Sequence, residues 1–81
     1  MGNKKRGYIG GMNVLGYPNG YKLSEEECKE GCLQNADCKS IDYIVYGPSA
    51  GLCTMNSVTS AERPDRFYSS ISVHYWEKVF Q

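Results

Sequence analysis

The sequence predicts a small α+β domain, one helix packed on antiparallel strands, and three observations predict it. Ser24-Glu25-Glu26-Glu27 opens a helix with a capping box. Residues 40–46 and 70–80 alternate with a period of two, the signature of half-buried strands. Four cysteines, at positions 28, 32, 38 and 53, lie in a chain of 81 residues. A chain that short buries too little apolar surface to hold itself together without covalent help.

Taken in order, residues 1–20 hold six of the nine glycines, and Pro18-Asn19-Gly20 is a turn signal. Tyr8-Ile9 and Met12-Asn13-Val14-Leu15 are short strand candidates within it. Met1 to Arg6 reads as a flexible basic tail or an expression remnant, with the domain proper spanning 7–81. The helix is expected from Glu25 to Gln34, its three first-turn glutamates facing the positive end of the helix dipole. Asn35 is the expected left-handed terminator. Gly31 inside the helix costs about 1 kcal/mol relative to Ala, which makes sense where another backbone approaches that turn.

Beyond Cys38, the residues Ile41, Tyr43 and Val45 alternate with Ser40, Asp42, Ile44 and Tyr46, giving a strand with one mainly apolar face. The turn-rich stretch 47–51 and a returning strand at Leu52-Cys53-Thr54-Met55 complete a hairpin over 39–55. Residues 56–65 are polar and include Pro64, as a surface loop would. A last strand runs from Ser70 to Phe80, with Ile71, Val73, Tyr75 and Val79 on one face and Ser72, His74, Trp76 and Lys78 on the other.

An even number of cysteines in so short a chain predicts two disulfides formed in an oxidising compartment. A zinc site would bring paired ligands; here the intervening gaps are three, five and fourteen residues, and the lone His74 has no partner. Cys28 and Cys32 share one helix face, where geometry disfavours bridging them to each other. Reach then favours Cys32 with Cys38, six residues on, and Cys28 with Cys53, twenty-five residues on. In the chain-entropy model the longer loop contributes about 3.5 kcal/mol and the shorter about 2.4.

Nine Lys+Arg balance nine Asp+Glu, without the basic excess of a nucleic-acid module. The longest strongly apolar stretch is Ile44-Val45-Tyr46, far from the ~20 residues of a membrane span. No apolar signal core follows Lys4-Lys5-Arg6, so a secreted protein would be present here as its mature form. Nucleophilic catalysis needs a nucleophile beside an oriented base. With His74 the one histidine and all four cysteines accounted for as bridges, the sequence predicts no enzyme, no cofactor and no metal.

These elements together resemble the PAN/apple domain family. The resemblance rests on Ser24-Glu25-Glu26-Glu27-Cys28 with Cys32, on Cys38-Lys39-Ser40-Ile41-Asp42-Tyr43, on Cys53-Thr54-Met55, and on the closing Tyr75-Trp76-Glu77-Lys78. It spans about residues 7–80. Ile41 stands where the family usually has Phe and Met55 where it has Leu, and the third disulfide of apple-type members is absent, so the chain is similar to the four-cysteine form. The resemblance implies a curved antiparallel sheet of about five strands crossed by one helix, and the same two disulfides.

It also implies a non-catalytic extracellular recognition or adhesion module within a larger multidomain, secreted or surface protein. The expected ligand is a carbohydrate, either a glycosaminoglycan or a galactose/sialyl-type glycan. A protein partner is the alternative, and a disulfide-stapled structural or inhibitor-like role the second. The candidate ligand residues are Arg63 and Arg66 in the polar loop, with His74, Trp76 and Lys78 on the last strand. Aromatic faces and charge-assisted donors are what glycan recognition uses.

Overall fold

The computed structural model describes residues 1–11 and 22–78. Strand β1 (Gly2–Ile9) is followed by helix α1 (Glu25–Gln34), β2 (Ser40–Ile44), β3 (Cys53–Asn56), a 3-10 turn at Pro64–Arg66, and the long β4 (Phe67–Glu77). The strands form one antiparallel sheet in the order β1-β4-β2-β3. That makes four strands among the described residues against about five expected. The Met12–Leu15 candidate and the Pro18-Asn19-Gly20 turn lie outside those residues, as does Val79.

The helix begins and ends where the sequence places it. Ser24 Oγ accepts the Glu27 N–H at 3.1 Å, and Glu27 Oε1 accepts the Ser24 N–H at 3.0 Å. A cap of this kind is worth about 1 kcal/mol. The end differs in detail. Asn35 is extended (φ −106°, ψ 113°) rather than left-handed. Its N–H donates to the Cys32 carbonyl, its side chain accepts the Asp37 N–H at 2.9 Å, and its carbonyl accepts the Cys38 N–H. The short return to Cys38 takes the chain directly off the helix end.

Both disulfides form the expected pairs, Cys28–Cys53 and Cys32–Cys38. Their four half-cystines join Ile41 and Met55 in one buried cluster between helix and sheet, with Leu23, Tyr43 and Trp76 packed at its edge. Gly31 sits over this cluster. The group that approaches it is the Met55 side chain, whose Cε would lie 2.9 Å from an added Cβ, and not a backbone. Tyr43 reaches past the cluster to donate its hydroxyl to the Leu23 carbonyl at 2.6 Å.

The N-terminal segment departs from expectation. Residues 2–6 belong to β1, which pairs with β4 from Gly2↔Glu77 to Ile9↔Phe67. Ladder bonds hold this segment, and Lys5 Nζ also donates to Ser60 Oγ at 2.8 Å. Gly7 is required there, because a Cβ would sit 2.5 Å from both the Phe67 ring and the Tyr68 carbonyl oxygen. The register jumps between Arg6↔His74 and Gly7↔Ser69, which leaves residues 70–73 of β4 without partners on β1. Ile71, expected on the apolar face, stands out on this irregularity at 74% exposure, while Val73 and Tyr75 are buried as expected.

The β2–β3 ladder runs from Ser40↔Asn56 to Tyr43↔Cys53, shorter than the hairpin read from sequence. Gly47 and Gly51 both have positive φ in the connection. The polar segment after β3 is not simply a surface loop, for Ser60 is buried on the sheet face away from the helix. There its N–H donates to Tyr75 Oη at 2.7 Å, and Tyr75 donates to Glu77 Oε1 at 2.9 Å. Burial raises the Tyr75 phenol above its ordinary range.

Candidate functional site

Strand alternation assigns each side chain to one face of the sheet. The registers Ile41↔Trp76 and Tyr43↔His74 put Trp76 and His74 on the helix side; Asp42↔Tyr75 and Asp42↔Thr54 put those residues on the far side. The five candidate ligand residues therefore do not form one site.

His74 and Trp76 meet the start of the helix. Trp76 Nε1 donates to Glu25 Oε2 at 2.7 Å, and His74 Nδ1 lies 3.0 Å from the same oxygen. Burial raises the Glu25 carboxyl, but these two bonds outweigh it and hold the group below its ordinary range. The Lys29 ammonium lies 4.0 Å from the Trp76 ring centroid, a cation–π contact. Lys78 Nζ donates to the Asn35 carbonyl at 2.8 Å, at the helix's other end. These three side chains thus fasten both ends of α1 to β4.

Arg63 grips the Asp65 carboxylate with two bonds, 3.1 and 3.0 Å. That pairing holds Asp65 low and Arg63 high in pKa. Arg66 lies 4.0 Å from the same carboxylate. Arg66 also accepts the Gly10 N–H on its carbonyl at 2.9 Å, and its Nη1 would lie 3.8 Å from a Cβ on Gly11. Through Gly10 and Gly11, Arg66 stands beside a cleft.

That cleft opens on the far face of the sheet, with a volume of about 420 Å³, within the ~300–1,000 Å³ typical of small-molecule sites. Asp42 of β2 and Thr54 of β3 bring polar groups to it, Ile44 and Val73 form apolar wall, and Tyr8–Gly11 form the rim. Gly11, with φ 75°, turns the chain there through a conformation that favours glycine. The Tyr8 ring stacks on Tyr68 across the β1–β4 pair, centroids 5.4 Å apart and planes inclined by 26°. Both rings remain exposed, at 39% and 48%.

Asp42 is the unusual member. It is 4% exposed, and its two oxygens share a single backbone donor, the Ile9 N–H, at 3.2 and 3.3 Å. Burial pushes the carboxyl up to about 7 against the opposing pull of the Asn56 amide and the Ile9 N–H. A carboxylate accepts about four hydrogen bonds, and among the described residues the donors to it are the Ile9 N–H and the Asn56 amide.

Sequence reasoning assigned Asp42 to the strand but not to a site. The signal in the chain is an acid between Ile41 and Tyr43, on the face of the strand opposite the mainly apolar one. Tyr8 and Tyr68 carried no mark that would pair them, since the β1–β4 register depends on the irregularity at residues 70–73.

Among the described residues, no group of three or more His, Cys, Asp or Glu is placed to hold a metal ion. No helix among them is long and apolar enough to cross a membrane. The family model of the PAN domain matches residues 16–80 of the chain. No curated protein and no solved structure matches it.

Proposed function

The chain belongs to the PAN domain family, whose members serve as protein or carbohydrate interaction modules, and from that premise we propose that it is a non-catalytic recognition module binding a carbohydrate in the cleft over Asp42. The observation that carries the reading is one buried carboxylate with spare acceptor capacity beside an exposed tyrosine pair. Sugars present hydroxyl donors on their edges and apolar C–H faces above and below the ring. An acceptor and an aromatic face, fixed by separate strands, complement those two surfaces. Two disulfides suit an extracellular setting. There the module acts in adhesion, as one part of a larger secreted or surface protein.

The chemistry of the site supports binding rather than turnover. Among the described cleft residues Asp42 has no second carboxylate to complete a general acid/base pair. Glycosaminoglycan binding has less support, because Arg63 and Arg66 both spend charge on Asp65. A protein partner is the second reading, and Ile71 favours it, an apolar side chain 74% exposed on the irregular part of β4.

The test is a glycan array probed with the disulfide-intact protein, followed by titration of the 15N-labelled domain with any sugar that binds. The expected result is binding with amide shifts at Ile9, Gly10, Gly11 and Thr54. A blank array, or shifts confined to the His74–Trp76 region, would overturn the reading.

A further inference from the structure

The charges around the cleft narrow the ligand further. Among the described residues that line it there is one acid, Asp42, and no base. From β1 the titratable neighbour is Tyr8, from β4 it is Tyr75 at the Asp42↔Tyr75 pair, and β3 contributes the uncharged Thr54. Arg66 at the rim is half exposed and lies 4.0 Å from Asp65. An anionic ligand entering the cleft would bring a second negative charge against Asp42 where water is largely excluded. Among the described cleft residues no cation would offset the repulsion.

Hydrogen-bonding capacity points the same way. Among the described residues the Asp42 oxygens accept the Ile9 N–H, shared at 3.2 and 3.3 Å, and the Asn56 amide; that leaves part of their capacity unused, and a buried carboxylate is costly until further donors reach it. A pair of neighbouring hydroxyls supplies one donor to each oxygen and adds no charge. Resting on the carbohydrate reading above, we infer that the cleft takes an uncharged sugar, two adjacent hydroxyls of which donate to the two carboxylate oxygens of Asp42, and that it turns away sialylated, uronate and sulfated glycans.

The pH dependence of binding is a second readout of the same contact. With the Asp42 carboxyl raised to about 7, the double acceptor is mostly charged at pH 8 and mostly protonated at pH 6. Affinity for the neutral sugar is therefore expected to rise on the order of five- to tenfold between those values. Binding should change little between low and high salt, because no ion pair forms.

The experiment titrates the 15N-labelled, disulfide-intact domain at pH 8 with methyl glucoside, methyl galactoside and methyl mannoside. N-acetylneuraminic acid, glucuronic acid, a heparin disaccharide and n-butylammonium chloride complete the panel. At least one neutral glycoside should move the Ile9, Gly10 and Gly11 amides, with Kd in roughly the millimolar range expected of a monosaccharide-sized ligand. Every acid should bind at least about tenfold more weakly. Monodeoxy analogues should lose about tenfold at two adjacent ring positions and much less elsewhere.

Asp42→Asn should abolish the pH dependence and weaken binding about tenfold. Thr54→Val, which keeps the shape of the wall, serves as an independent check, with an expected loss of about fivefold. Equal or tighter binding of an acidic sugar in the cleft would overturn the inference and leave the carbohydrate reading standing. So would a neutral sugar indifferent to Asp42→Asn. Stronger binding of butylammonium than of any sugar would assign the cleft to cations and overturn the inference. No binding of any sugar would remove the carbohydrate reading itself.

Discussion

Replacing Asp42 with asparagine is expected to stabilise the domain above about pH 5, with most of the gain in place by neutral pH. The folded carboxyl titrates near 7, against an ordinary value of 3.8. Folding therefore favours the protonated form. The stability of the protonated state is present at low pH and declines as pH rises from about 4 to about 8. A difference of about three pKa units, at 1.36 kcal/mol each, makes that decline about 4 kcal/mol. Glu25, Glu27, Glu62 and Asp65 have lowered carboxyl pKa values, so their contributions are lost only as pH falls below about 4.5. The stability curve should peak near pH 5. The Asp42→Asn variant keeps an oxygen for the Ile9 N–H and removes the charge. Allowing for a weaker neutral hydrogen bond, it should be more stable than the wild type by about 3 kcal/mol at pH 8 and no more stable at pH 5. Urea unfolding followed by Trp76 fluorescence, with disulfides intact, measures both. A wild-type stability equal at pH 5 and pH 8, or an Asp42→Asn variant with the same slope, would refute the reasoning.

Further changes test other parts of the fold. Removing the Cys28–Cys53 bridge as a double serine variant should cost about 3.5 kcal/mol, and removing Cys32–Cys38 about 2.4, in the order of their loop lengths; denaturant titration ranks them. Gly7→Ala should lose about 2–3 kcal/mol in thermal unfolding, because its methyl would meet the Phe67 ring and the Tyr68 carbonyl. Trp76→Phe removes the 2.7 Å bond to Glu25 and should cost about 1–2 kcal/mol, with the Glu25 carboxyl rising in a 13C-detected titration. Gly31→Ala should be nearly neutral, since about 1 kcal/mol of helix propensity is set against displacement of the Met55 methyl.

What could be read from sequence was whatever local chemistry decides. The Ser24 and Glu27 cap acts within one turn, so it marked the helix start. The cysteine pairing followed from a helix face and two chain lengths. Period-two alternation found β2, β3 and the C-terminal half of β4, because each has one side against the helix. Of β1, the Tyr8-Ile9 end was a strand candidate, and the rest escaped for the opposite reason. Gly2-Asn3-Lys4-Lys5-Arg6-Gly7 has no apolar alternation of its own, and a partner 60 or more residues away supplies its pairing. The same distance hid the site. Ile9, Asp42, Thr54 and Val73 come from four separate strands, and they share a cleft only once the irregular β1–β4 register is set. His74 and Trp76 looked like binding residues because aromatic and imidazole groups at a strand end are what a ligand site uses. Glu25 takes both, which no spacing in the chain announces.

The division of labour between the two sheet faces has an energetic basis. The helix side carries both disulfides and the buried cluster of Ile41 and Met55, and the two bridges together contribute about 6 kcal/mol in the chain-entropy model. The far side carries an acid whose ionisation at pH 8 costs about 4 kcal/mol. A domain of 81 residues held by apolar burial alone has about 3–5 kcal/mol to spare, and ionising such a group would nearly unfold it. With covalent bonds fastening one face, the other can hold a polar group short of partners. That shortage is what a ligand relieves on binding: each donor that reaches Asp42 lowers its carboxyl toward the ordinary value and returns part of the lost stability. A sugar that binds as inferred should therefore raise the thermal midpoint more at pH 8 than at pH 6. A midpoint shift larger at pH 6 would mean that the ligand prefers the protonated carboxyl, and the carboxylate would then not be the acceptor.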